Sequence, residues 1–299
     1  MADEAAAEPA RRSAGGGPDD PLDARHLGPA AVARYVREHG LQPDRRFSQH
    51  FLADGEVLEA IVAAAAITPG RRVLEIGPGP GILTGALLGA GAEVTGIEVD
   101  RRMAAHLRDR FDARLRLIEG DALDEDVAAL MVAPWDLVAN LPYHITSPVL
   151  HHVLGVEPRP DRFVLMLQRE VAERIAAPPG GLSYLSVFVQ YHARVRVERI
   201  VPAAAFEPAP EVGSALLVGT TRPRRLGPTA EEDLWRLVQA GFRERRKMLQ
   251  NVLPRQLPAV ERARLLAALA TVGIAPDRRP QMLSVEDWLA LASELGPLP

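Results

Sequence analysis

The chain has 299 residues, 47% of them hydrophobic and 25% charged, with a formal net charge of -4 and no cysteine. That composition belongs to a globular protein with room for about two domains. It excludes disulfides, thiolate zinc centres and a cysteine nucleophile, and no run approaches the roughly 18 apolar residues of a membrane span.

Residues 1–28 are rich in Ala, Gly, Pro and Asp and lack periodicity, so a disordered leader is expected there. Asp3, Glu4 and Glu8 stand where a secretory signal would be basic and then apolar, which points to a cytoplasmic protein. A short helix is expected over 29–39, and another over 54–66 with Asp54 as its N-cap. Strands are then expected at 72–76, 93–98, 115–118, 137–140 and 163–167. Helices are expected between and after them, at 82–88, 101–111, 147–154 and 169–176. Strands separated by helices predict an α/β fold with a doubly wound, Rossmann-like parallel sheet covered on both faces. Further strands are expected at 185–191 and 214–218. Beyond Pro228 the periodicity is helical, at 231–246, 259–272 and 285–295. Pro223, Gly227 and Pro228 mark a boundary, with one domain over 29–222 and a small all-helical C-terminal domain over 223–299.

The first core strand ends in Glu75-Ile76-Gly77-Pro78-Gly79-Pro80-Gly81. Glycines at the carboxyl end of a first parallel strand let the backbone turn tightly and approach a nucleotide closely. The spacing is G-x-G-x-G, not the G-x-G-x-x-G of dinucleotide enzymes. Gly77 and Gly79 are the candidate contacts, although turns use glycine in any case. Glu98 ends the next strand, 21 positions beyond Gly77. A carboxylate there accepts from ribose hydroxyls, for NAD and S-adenosylmethionine alike. The plainer role for Glu98 is to cap the following helix, but paired with the glycine loop the ribose role is favoured. Asp121, after the third strand, suits an adenine amino group or an ordinary exposed turn.

The fourth strand ends in Asn140-Leu141-Pro142-Tyr143. An adenine amine is a poor nucleophile because its lone pair is delocalised into the ring. The Asn140 oxygen and a nearby carbonyl can accept its two N–H bonds and stabilise the positive charge that develops on transfer. Pro142 stiffens the loop and Tyr143 can stack on an unpaired base. Because these residues follow a glycine loop and Glu98, we read them as a site for methylating an amine and not as a chance turn. Phe206, in a Pro-rich loop, suits a positioned exposed ring. Trp235 and Trp288 fall on apolar helical stripes and read as core. His151 and His152 are adjacent on a helix and point apart, so no metal is expected.

Residues 222–299 hold 13 Lys+Arg against 9 Asp+Glu, and residues 1–221 hold 22 against 30. Arg243, Arg245, Arg246 and Lys247 concentrate the basic charge. A solvated helix end explains such a cluster, and so does RNA contact through released counterions.

The sequence resembles the ribosomal RNA adenine dimethyltransferases, most closely their bacterial small-subunit branch, from about Ala33 to the C-terminus. Phe47-Ser48-Gln49-His50-Phe51-Leu52, Glu75-Ile76-Gly77-Pro78-Gly79 and Asn140-Leu141-Pro142-Tyr143 carry the resemblance. So do Leu167-Gln168-Arg169-Glu170-Val171-Ala172, Phe206-Glu207-Pro208-Ala209-Pro210-Glu211-Val212 and the basic run from Phe242 to Leu249. The resemblance implies a methyltransferase domain, an RNA-binding C-terminal domain and S-adenosylmethionine as cofactor. It implies that His50 and Leu52 line the methionine end, Gly77 contacts the cofactor through its backbone, Glu98 holds the ribose and Asp121 the adenine. Asn140 would contact cofactor and target amine, with Tyr143 and Phe206 flanking the target base. The implied reaction is dimethylation of two adjacent adenines near the 3′ end of small-subunit RNA, on the subunit or its assembly intermediate; a monomer is the default expectation. Ser48, His50 and His144 depart from the family's usual Gly, Asn and Asn. Three other readings compete: adenine methylation in large-subunit RNA, an NAD-dependent oxidoreductase, and a non-enzymatic RNA-binding factor.

Overall fold

The computed structural model describes residues 20–44 and 49–299. The chain enters α1 (Pro29–Glu38) through a proline in its first turn, where a missing N–H costs nothing. A short strand β1 (Phe51–Leu52) leads to α2 (Gly55–Ala65), which Asp54 caps by accepting from the Val57 N–H at 3.1 Å. Then come β2 (Arg72–Ile76), α3 (Ile82–Gly89), β3 (Glu93–Glu98), α4 (Arg101–Phe111), β4 (Leu115–Glu119) and a single turn α5 (Val127–Leu130). The second half of the sheet unit is β5 (Trp135–Asn140), α6 (Thr146–Leu154), β6 (Arg162–Gln168), α7 (Arg169–Ile175), α8 (Tyr184–His192), β7 (Ala193–Val201), β8 (Phe206–Glu207) and β9 (Ser214–Thr221). Four helices close the chain: α9 (Pro228–Phe242), α10 (Leu249–Gln256), α11 (Arg262–Thr271) and α12 (Val285–Leu295). None of the described helices is long and apolar enough to cross a membrane.

Among the described residues seven strands form one sheet in the order β4-β3-β2-β5-β6-β9-β7. Pairing is parallel from β4 to β6, and β9 and β7 run antiparallel at the far edge. The strand order reverses between β2 and β5, which opens a crevice at their carboxyl ends. The central strands are buried along most of their length because helices cover both faces. On one face α1 to α4 pack on Val73, Val94, Val138 and Val164. On the other α5 to α8 pack on Leu74, Leu137, Phe163 and Leu165. A third cluster joins Leu182, Val187 and Tyr191 to Leu234, Leu253 and Trp288 of the terminal helices. Trp235 is half-buried between the second and third clusters, and Trp288 is fully buried.

The structure corrects several expectations. The strand expected at 185–191 is helix α8. Its apolar run comes from burial on two sides, with Phe188 and Val189 against the sheet cluster and Val187 and Tyr191 against the terminal helices. Ser183 and Ser186 cap it reciprocally. The helix expected to reach 246 stops at Phe242, because the Arg-Glu-Arg-Arg-Lys run that follows has no apolar face to bury. Strand β7 and helix α10 have no counterpart among the sequence expectations. The leader expected to be disordered through 28 is packed from Asp20 onward, with Leu22 buried in the first cluster. Residues 1–19 of that leader, and Phe47 and Ser48, lie outside the described residues.

Candidate active site

The crevice at the β2–β5 reversal is a cleft of about 290 Å³. His50, Leu52, Gly77, Gly79, Glu98, Asp121, Asn140, Leu141, Pro142 and Tyr143 all line it. They come from five separate stretches of chain, delivered to one place by the parallel strands. Phe206 does not line it. That ring is only 2% exposed and lies in the core, which corrects the expectation of an exposed ring. The cause is β8 itself: it pairs antiparallel with β1, Leu52 opposite Phe206, and turns the ring inward. Arg243, Arg245, Arg246 and Lys247 are also absent from the cleft. They sit in the turn between α9 and α10, on the surface.

The floor is the glycine loop. Gly77, Gly79 and Gly81 have φ of 69°, 58° and 82°, a region that L side chains rarely adopt. The G-x-G-x-G spacing therefore alternates the residues that must lack a Cβ. At Gly79 a Cβ would also lie 3.2 Å from the Phe51 ring, so β1 presses directly on the loop. Glu98 pins the loop from the neighbouring strand. Its Oε2 accepts from the Gly79 N–H at 2.9 Å and its Oε1 from the Asp100 N–H at 2.9 Å. Burial raises the Glu98 carboxyl above its ordinary range, and these backbone donors oppose that rise. Each carboxylate oxygen can accept more than one bond, so cleft-side acceptor capacity remains.

Glu75, near the end of β2 just before the loop, is buried and accepts from the Thr84 hydroxyl at 2.6 Å. Burial pushes its carboxyl up to about 8, against an ordinary 4.5, with the Thr84 bond pulling the other way. No cation neutralises Glu75 or Glu98 among the described residues. Buried acids without cation partners suit a ligand that brings hydroxyl donors and can bring positive charge. A sulfonium cofactor with a ribose has that chemistry, and the positive-φ cradle leaves room for it. In the sequence Glu75 stands out only as part of the loop. Its place before the first glycine is visible there, but its burial is not.

Asn140 ends β5. Its Nδ2 donates to the His50 carbonyl at 3.1 Å, which leaves its amide oxygen without a partner among the described residues. Pro142, at φ -55° and ψ 131°, starts the one-turn helix that carries Tyr143. The Tyr143 hydroxyl is held by the Ser214 hydroxyl at 2.7 Å, and burial raises its pKa and keeps the phenol neutral. The His50 ring lies near-parallel to the Tyr143 ring, centroids 6.1 Å apart. A base between them would need about 7 Å, twice a van der Waals contact, so His50 backs Tyr143 and is not the far wall of a sandwich. His50 Nδ1 is itself 2.7 Å from the Pro208 carbonyl and must be the donor there. His152 bonds the Glu125 carbonyl and His151 packs on Phe188, and no group of three metal-ligating side chains occurs among the described residues.

A parallel sheet with an antiparallel edge and a crevice at its order reversal places the protein among the class I methyltransferases. Residues 40–296 match the family model described as "Ribosomal RNA adenine dimethylase". The chain is 43% identical over 264 residues to "Ribosomal RNA small subunit methyltransferase A" of Thermosynechococcus vestitus, covering 85% of this chain and 97% of the relative. It is 43% identical over 285 residues to the protein of that name from Anaeromyxobacter dehalogenans, covering 91% and 99%. Among solved structures, a dimethyladenosine transferase from Plasmodium falciparum superposes with a TM-score of 0.70 at 27% identity, over 81% of this chain and 96% of that one. The 23S rRNA methyltransferase ErmE does so with a TM-score of 0.66 at 28% identity, over 82% and 99%. The chain belongs to the ribosomal RNA adenine dimethylase family.

Proposed function

We propose that this protein transfers methyl groups from S-adenosylmethionine to the N6 amines of two adjacent adenines near the 3′ end of small-subunit ribosomal RNA. The observation that carries the chemistry is the Asn140 amide: its nitrogen is tied to the His50 carbonyl and its oxygen is free at the cleft. The small-subunit assignment rests on relatives that carry that activity in their names across nearly their whole length.

S-adenosylmethionine, when bound, supplies an electrophilic methyl on a sulfonium. Glu98 would hold the ribose, Asp121 the adenine, and the Gly77 and Gly79 backbone the body of the cofactor, with His50 and Leu52 at the methionine end. Asn140 accepts an N–H of the target amine and stabilises the charge that develops as the nitrogen turns tetrahedral. Tyr143, clamped by Ser214, holds the base in plane, and such orientation supplies much of the rate of a bimolecular transfer. No strong base is needed, because the methylated ammonium is acidic. Arg243, Arg245, Arg246 and Lys247 would contact RNA phosphates. None of the four has a carboxylate partner among the described residues.

Labelled S-adenosylmethionine with unmethylated small and large subunits tests the reading, with products mapped by reverse-transcription stops. Label on two adjacent adenines near the 3′ end of small-subunit RNA is expected. Label confined to the large subunit, or none on either, overturns it.

A further inference from the structure

We infer that the N-terminal segment 20–27 is a latch on the cofactor loop, worked through Arg110, and that Asp20 and Arg110 are positioning residues for cofactor binding. The inference rests on the reading of the cleft as a cofactor site. Arg110, on α4, reaches in two directions. Its Nη2 bonds both Asp20 oxygens, at 2.7 and 2.9 Å, and its Nη1 donates to the Pro80 carbonyl in the glycine loop. The Arg110 and Asp20 side chains are 6% and 3% exposed. A buried pair of this kind contributes little net stability but is costly to break, because the remaining charge is stranded. Loss of Asp20 therefore acts on Arg110, and through it on Pro80.

The rest of the segment is built to stay in place. Leu22 is buried with Leu58 in the first core cluster. Gly55, at the start of α2, sits so close to the Ala24 carbonyl that a Cβ would lie 2.0 Å from its oxygen. Only glycine allows that approach. On the other side of Arg110, α4 presses on the loop: a Cβ at Gly81 would lie 2.5 Å from the Phe111 ring. Pro80 is a wall of the cleft, one residue from Gly79 and its bond to Glu98. One guanidinium thus spans the N-terminal segment and the wall of the cleft. Lysine, a single compact donor group, cannot hold both partners in that geometry.

The test uses the full chain and S-adenosylhomocysteine as probe. Asp20→Asn and Arg110→Lys are each expected to weaken its binding about tenfold by calorimetry, within the usual range of couplings between sites. The KM for S-adenosylmethionine should rise in parallel while kcat at saturation holds. Amide exchange at residues 79–82 should speed up in both variants. Leu291→Ala, buried in the third cluster, serves as a control that lowers the melting temperature away from the cleft. Unchanged probe affinity in Arg110→Lys, or equal weakening in Leu291→Ala, overturns the latch, and Arg110→Lys keeps the test alive if Asp20→Asn does not fold. Absence of binding by the parent chain would instead remove the cofactor reading itself.

Discussion

Two regions of this molecule use ionisable groups in opposite ways. In the cleft, Glu75 and Glu98 are buried and each is held by a fixed partner, a hydroxyl for one and backbone N–H groups for the other. In the turn after α9, the side chains of Arg243, Arg245, Arg246 and Lys247 meet only glutamine side chains or solvent. A buried ionisable group works by position, so losing one atom changes the site. An exposed charge works by sum, because solvent screens each one and neighbours substitute for it. The cleft should therefore fail sharply and the basic turn gradually.

The largest expected effect is at Asn140. Asn140→Ala should lower single-turnover transfer by roughly 10²–10³-fold, the range for removing one preorganised group at a developing charge, while cofactor affinity falls only modestly. If affinity collapses together with rate, Asn140 is an anchor and not an acceptor. Next, Glu98→Gln should weaken S-adenosylhomocysteine binding by roughly ten- to a hundredfold, since hydrogen bonds to a charged acceptor carry about 1.5–3 kcal/mol. Calorimetry that shows no change would detach the loop pin from binding. Replacing Arg245, Arg246 and Lys247 together by Gln should weaken RNA binding and reduce its salt slope by about one for each phosphate no longer neutralised. Cofactor affinity should not move. A sharp, all-or-none loss from one of these residues would break the contrast.

The smallest effect concerns Glu75. Its carboxyl titrates near 8 in the fold against an ordinary 4.5. Both states are protonated below about 4.5, so its favourable contribution is fully present there. That contribution is lost as pH rises through about 8, where the folded state must ionise a buried group. Glu75→Gln should therefore lose less melting temperature between pH 5 and 8 than the parent chain. An identical pH dependence in the two proteins would show that Glu75 is solvated.

Much of this is legible in the sequence because it is local. Gly77, Gly79 and Glu98 fall at the ends of short strands that β-branched and aliphatic residues such as Val73, Leu74, Ile76, Val94 and Ile97 mark out. Asn140-Leu141-Pro142-Tyr143 begins at the last residue of β5. What escapes is long-range or two-sided. Helix α8 reads as a strand because burial on both sides erases helical periodicity. Phe206 reads as exposed because its partner Leu52 lies in a distant part of the chain. Asp20 reads as part of a disordered leader because composition does not register one buried ion pair with Arg110. The basic residues stand out in the sequence, but periodicity alone draws their helix one turn too long.

The bond that orients Asn140 goes to the main chain of His50, not to its side chain. Every residue type offers the same carbonyl at that point. Position 50 can therefore change character while the acceptor stays aimed, provided β1 and β8 keep the strand where it is. On the role proposed for Asn140, the chemistry is insulated from the letter at position 50, and a change of side chain there alters the lining of the cleft without disturbing the Asn140 amide oxygen.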